Sequence, residues 1–132
     1  MTKLEKLLRE ADLEYTFDDD SELYSIIMEF DDDRTQQVLI SNNLEECGDL
    51  KILHIYSQAA NIDDVPSKFY LKILKDSATK SLGHWEVSGE ALIYNIKLPV
   101  GNLNSEVLAT AINVAAQEAD KMEARFSDED TF

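Results

Sequence analysis

Six aspartates bracket one short apolar run in "FDDDSELYSIIMEFDDD": Asp18, Asp19 and Asp20 before it, Asp31, Asp32 and Asp33 after it. Carboxylates at this density are the ligands that hard divalent cations take. Spacing decides the matter. Leu23 to Phe30 is rich in Ile, Tyr and Phe and reads as a strand. Extended chain rising about 3.3 Å per residue sets Asp20 and Asp31 roughly 35 Å apart, too far to share an ion. Asp18, Asp20, Glu22 and Glu29 match the first, third, fifth and twelfth positions of a calcium loop, but Leu23 stands where the sharp turn requires glycine. The triplets therefore read as solvated strand ends. Flanking charges of this kind also guard an apolar strand against aggregation. No metal site is expected from them.

The other reactive residues are sparse. His54 and His84 are the only histidines, and neither lies in an HxxH, HExxH or Cys-rich pattern. Cys47 sits among acids in "EECGD", an unfavourable setting for a nucleophile. No GxSxG elbow is present, and Gly48, Gly83, Gly89 and Gly101 form no phosphate loop. No catalytic residue and no cofactor is expected, and the chain reads as a non-enzyme.

The elements that carry these residues fit one α+β domain over residues 1–126, with 127–132, "SDEDTF", as an acidic tail. The chain has 132 residues, 44% hydrophobic and 30% charged, which is a globular composition. A formal charge of −15 repels nucleic acid and anionic membranes and favours a basic partner. One cysteine allows no intramolecular disulfide, which suits a reducing compartment. The start, "MTKLEKLLRE", lacks the apolar core of a signal peptide, and "SIIM" and "ALIY" are too short to span a bilayer. A cytoplasmic location is expected.

Leu4, Leu7, Leu8 and Ala11 form the stripe of a first helix capped by Thr2. Three strands should follow, at Leu23–Phe30, Gln36–Asn42 and Leu50–Ser57, with Leu13, Tyr15 and Phe17 as an extended lead-in. The stretch "NIDDVPSKFYLKILKDSAT" reads as a second helix, with Asp64 as N-cap and Pro66 early. Gly89-Glu90 predicts a type II′ hairpin that pairs Trp85 with Tyr94 and Val87 with Leu92. A final helix should run from about Ser105 to Phe126, its stripe built from Leu108, Ala111, Ile112, Ala115, Ala119, Met122 and Phe126. The order helix, three strands, helix, two strands, helix argues for an antiparallel sheet with helices packed on it.

Two features ask for a partner. The third strand carries Ile52, His54 and Tyr56 on one face and Leu53 and Ile55 on the other, so something should cover part of its second face. On the second helix, Phe69, Tyr70, Leu71, Ile73, Leu74 and Ala78 spread over about 200° of arc, more than one sheet contact needs. Leu71, Leu74 and part of Tyr70 are the surplus.

This order resembles the YbjN-type bacterial family and the wider fold of class I type III secretion chaperones. The stretches carrying the resemblance are "LEKLLREADLEYTF" and "FYLKILKDSATKSLGHWEVSGEALIYNIKLPVGNLNSEVLATAINVAAQEADKMEARF". The resemblance implies a small acidic homodimer that binds a protein segment without a cofactor. Carried over by position, its dimer or partner interface comprises Phe69, Tyr70, Leu71, Leu74 and Trp85. The expected function is a chaperone-like or regulatory module that holds a protein or peptide client, by strand addition at a sheet edge among other modes. The alternative is a domain that senses a small molecule or metal ion, with His54, Tyr56 and Tyr94 as its polar groups.

Overall fold

A computed structural model describes residues 2–127; segment 128–132, most of the expected acidic tail, lies outside the described residues. Helix α1 spans Lys3–Glu10. Strands β1 (Thr16–Asp18), β2 (Leu23–Glu29), β3 (Thr35–Ser41), β4 (Glu45–Cys47) and β5 (Leu50–Asn61) follow. Helix α2 spans Tyr70–Ala78, strands β6 and β7 span His84–Ser88 and Ala91–Pro99, and helix α3 spans Ser105–Ser127. The strands form one sheet in the order β1-β2-β3-β5-β7-β6, with β4 paired to β5 beyond the end of β3. Every pairing is antiparallel. The α+β architecture expected from the sequence is the one observed, with the two short strands β1 and β4 added.

Local chemistry explains the elements. Thr2 caps α1 in a reciprocal box: its hydroxyl accepts from the Glu5 N–H, and Glu5 accepts from the Thr2 N–H. Asp18 ends β1 by accepting the Asp20 N–H and the Ser21 hydroxyl, so the first Asp triplet builds a turn. The second triplet, Asp31–Asp33, is a single 3-10 turn between β2 and β3. At the β6–β7 hairpin Gly89 has φ +60°, as the first central position of a type II′ turn requires. Trp85 pairs with Tyr94 and Val87 with Leu92, the register read from the sequence.

The second helix is shorter than its apolar stripe suggests. Asp64 does not cap it. Asn61 caps a 3-10 turn at Ile62–Asp64, and a second 3-10 turn at Ser67–Phe69 precedes α2. The break is set by Pro66: Val65 before it is extended, at φ −105° and ψ 112°, which proline imposes on its predecessor.

All three helices contribute to one core on one face of the sheet. The alanines of α3 at 111, 115, 116 and 119 are fully buried and let the helix seat closely on Ile40, Ile55 and Ile96. Leu108 and Ile112 are buried beside them, each contributing about 1.5–3 kcal/mol. The opposite face, with Ile52, His54, Tyr56, Ile93 and Asn95, lies outside that core cluster. No helix among the described residues is long and apolar enough to cross a membrane.

Candidate functional site

Five residues stand out as a possible interface, and the structure divides them. Phe69 and Trp85 are both 5% exposed and belong to the chain's own core. Lys68 and Lys72 lie over the Phe69 ring, 5.1 and 5.2 Å from its centroid. Tyr70, Leu71 and Leu74 point the other way and are 42%, 61% and 63% exposed. Leu71 and Leu74 are three apart and Tyr70 and Leu74 four apart, so they are neighbours on one helix face. Val87, on β6, is a further exposed apolar residue.

The helix that presents this face is held firmly. The Trp85 indole N–H donates to Asp76 Oδ2 at 2.9 Å, and the Trp85 backbone N–H donates to Ser77 Oγ at 2.9 Å. Lys80 sits 3.5 Å from the same Asp76 oxygen and 2.8 Å from Glu118 Oε2, joining α2 to α3. Burial pushes the Lys80 ammonium down, but the Glu118 hydrogen bond and the two carboxylate charges raise it above its ordinary value. Trp85 also meets Tyr94 edge-to-face at 5.0 Å between centroids. The Tyr94 hydroxyl donates to the Leu82 carbonyl. Burial, helped by Glu118 and Asp76, pushes this phenol up to about 12.

These contacts bear on the mode of binding. Strand addition at β6 meets an obstacle, because Ser77 already takes the Trp85 backbone N–H. The other end of the sheet, β1, is three exposed residues long and closes in the Asp18–Asp20 acids. Short, charged edges of this kind resist pairing with another chain.

The open sheet face holds a second feature. A depression of about 440 Å³ lies between β4, β5, β6 and β7 and the end of β3. His54 and Tyr56 reach it from β5, Glu86 from β6, Asn95 from β7 and Glu45 from β4. Tyr94 does not: it points into the helix-covered core and is fully buried there. Asn95 is the centre of a polar network. Its Nδ2 donates to Glu86 Oε1 at 2.9 Å and faces His54 Nδ1 at 3.3 Å. With Nδ1 accepting, the His54 proton sits on Nε2, 3.6 Å from Glu45 Oε2. His84 Nε2 meets the same Glu86 oxygen at 2.8 Å.

Burial raises the Glu86 carboxyl, but hydrogen bonds from Asn95 and His84 and the Lys97 charge outweigh it and hold it below its ordinary value. Burial alone raises the Tyr56 phenol. Among the described residues, no three His, Cys, Asp or Glu side chains converge as metal ligands. The sequence shows no motif around either histidine, yet both join one polar network, His84 through Glu86 and His54 through Asn95. A signal was present: the hairpin register that pairs Trp85 with Tyr94 also sets His84 opposite Asn95.

No family model matches the sequence, and no curated protein matches it. The YbjN-type resemblance thus rests on element order and apolar pattern. Among solved structures, a chain in the HopA1–SchA chaperone–effector complex is similar, with TM-score 0.61 and 12% identity, over 92% of this chain and 90% of that one. At that identity the likeness is one of fold, and it agrees with the secretion-chaperone fold expected from the sequence.

Proposed function

We propose that this chain is a non-enzymatic, chaperone-like or regulatory helper that holds a segment of another protein and acts as a homodimer. The observation that carries the reading is the outward face of α2. Tyr70, Leu71 and Leu74 form a contiguous exposed apolar surface, while Phe69, Ile73 and Trp85 anchor the same helix from beneath. Large apolar groups on a rigid, well-anchored helix are what a partner surface requires. The fold is that of a chain found in a chaperone–effector complex, which supports a protein client. The charge of −15 suits a client segment rich in basic residues and a cytoplasmic setting free of nucleic-acid contact.

Purification of the tagged protein from its native cell, with native mass spectrometry of the eluate, tests this reading. The expected result is a two-copy assembly that carries a protein at defined stoichiometry. Recovery of bare single chains alone would contradict it.

One observation favours a second reading, a regulatory domain that senses a small molecule. The depression on the open sheet face gathers His54, Tyr56, Glu86 and Asn95 around a concave surface. A thermal-shift screen with metabolites and divalent metals tests this second reading: saturable stabilisation by a free compound is expected, and no response to any of them contradicts it.

A further inference from the structure

Asn95 is 2% exposed, yet its Oδ1 has no hydrogen-bond partner. Buried polar atoms left unpaired are rare and costly, and where they line a concave surface they mark a missing partner. The walls of this depression say what that partner is. Glu45 and Glu86 both contribute carboxylates, and no lysine or arginine lines it. The Asn95 and His84 donors both converge on Glu86 Oε1, which leaves Oε2 for an incoming group. Lys97 acts on Glu86 from outside the lining. The Glu45 side chain is 56% exposed, so it is free to turn toward a ligand. The site therefore offers acceptors and negative charge. The absence of a three-ligand metal set among the described residues argues for an organic cation.

We propose that this depression receives the guanidinium of an arginine side chain from the bound segment of a partner. This rests on the protein-binding reading above and names the residue type read. A guanidinium presents five N–H donors in a flat fork, which suits two carboxylates and an amide oxygen set around a shallow floor. An ammonium offers a point charge with no such fork. Tyr56 supplies a ring at the floor on which the planar group can stack.

The test is a titration of the ¹⁵N-labelled full-length chain with N-acetyl-arginine amide, followed by amide shifts. Saturable shifts confined to the Asn95 side-chain amide and the backbones of 45, 54–56 and 86 are expected. The uncharged isostere N-acetyl-citrulline amide should bind roughly tenfold more weakly or worse, as should arginine amide with the Glu45→Gln chain. Glu45 is exposed, so that variant keeps its fold. Shifts that are scattered, fail to saturate or are equalled by citrulline would overturn the proposal. So would a zinc titration that saturates this site through His54 and His84 while arginine amide gives none. Leu71→Asp/Leu74→Asp should keep the arginine response. A failed arginine titration thus overturns the pocket alone, and a failed dimer test overturns the α2 reading alone.

Discussion

Replacing Asp76 by alanine removes the acceptor on which the Trp85 indole N–H relies. Trp85 is 5% exposed, so the freed N–H cannot turn to water. Leaving a buried donor unpaired costs about 1–3 kcal/mol. Two effects oppose this. Asp76 lies near the C-terminal end of α2, where a negative charge is disfavoured by about 0.3–1 kcal/mol. Alanine is also the better helix former, by at most about 0.7 kcal/mol. Lys80 retains its 2.8 Å contact with Glu118, so the second ion pair survives. The unpaired N–H wins, and the net loss should be about 1 kcal/mol. Urea unfolding followed by tryptophan fluorescence reads it directly, because Trp85 is the only tryptophan. A urea slope of about 1–3 kcal/mol per molar turns that loss into a midpoint lower by roughly 0.3–1 M. Asp76→Asn keeps an acceptor oxygen and should lose less. A midpoint for Asp76→Ala equal to or above wild type would show that the Asp76–Trp85 bond does not hold α2 in place.

Gly83→Ala should be more damaging. Gly83 has φ +88°, and a Cβ there would stand 2.6 Å from Tyr94 Cε2 and 2.7 Å from Ile96 Cγ1. Backbone strain and overpacking together should cost about 2 kcal/mol or more, seen as a lowered urea midpoint. Alkaline pH supplies another check. The Tyr94 phenol is raised from 10.0 to about 12 in the folded chain, so the folded state holds its proton longer than the unfolded state. Its contribution is complete below pH 10 and is lost as pH rises from 10 to 12. Phenolate absorbance should show one tyrosine titrating last, together with unfolding, and Tyr94→Phe should remove that late step. Titration of all five tyrosines near their ordinary value would contradict the buried Tyr94 hydroxyl.

The sequence read well where local pattern and turn chemistry agree. The Gly89-Glu90 turn set the hairpin register, the Thr2–Glu5 box set the start of α1, and the alanine-rich stripe set α3. Strand β1 was legible only as an extended lead-in through Phe17, and β4 escaped because three exposed residues show no alternation. Strand β5 runs on through "QAAN" to Asn61, where small and polar residues carry no strand signal and pairing with β7 decides. The apolar arc of the second helix was visible, and so was its surplus at Tyr70, Leu71 and Leu74, but the burial of Phe69 and Trp85 in the chain's own core was not. That depends on Trp85 and Asp76, which meet only once β6 lies beside α2. The polar cluster was the least legible part. The β6–β7 hairpin gathers His84, Glu86 and Asn95, but only the long-range pairing of β5 with β7 brings His54 beside them.

The central claim is that the outer face of α2 joins two copies of the chain. Leu71 is 61% exposed, so a partner can bury rather more than half of a side chain worth about 1.5–3 kcal/mol. A two-fold interface counts that loss twice, so Leu71→Asp should weaken the dimer by about 2–4 kcal/mol, roughly 30- to 800-fold. Folding should be untouched, since Leu71 lies outside the core. Sedimentation equilibrium of the wild type and of Leu71→Asp, each matched with a thermal melt, is the direct measurement. The account predicts a wild-type dimer and a monomeric variant with the same melting temperature as isolated wild-type chains. A wild type that stays at its single-chain mass of 15.0 kDa at high micromolar concentration would contradict it.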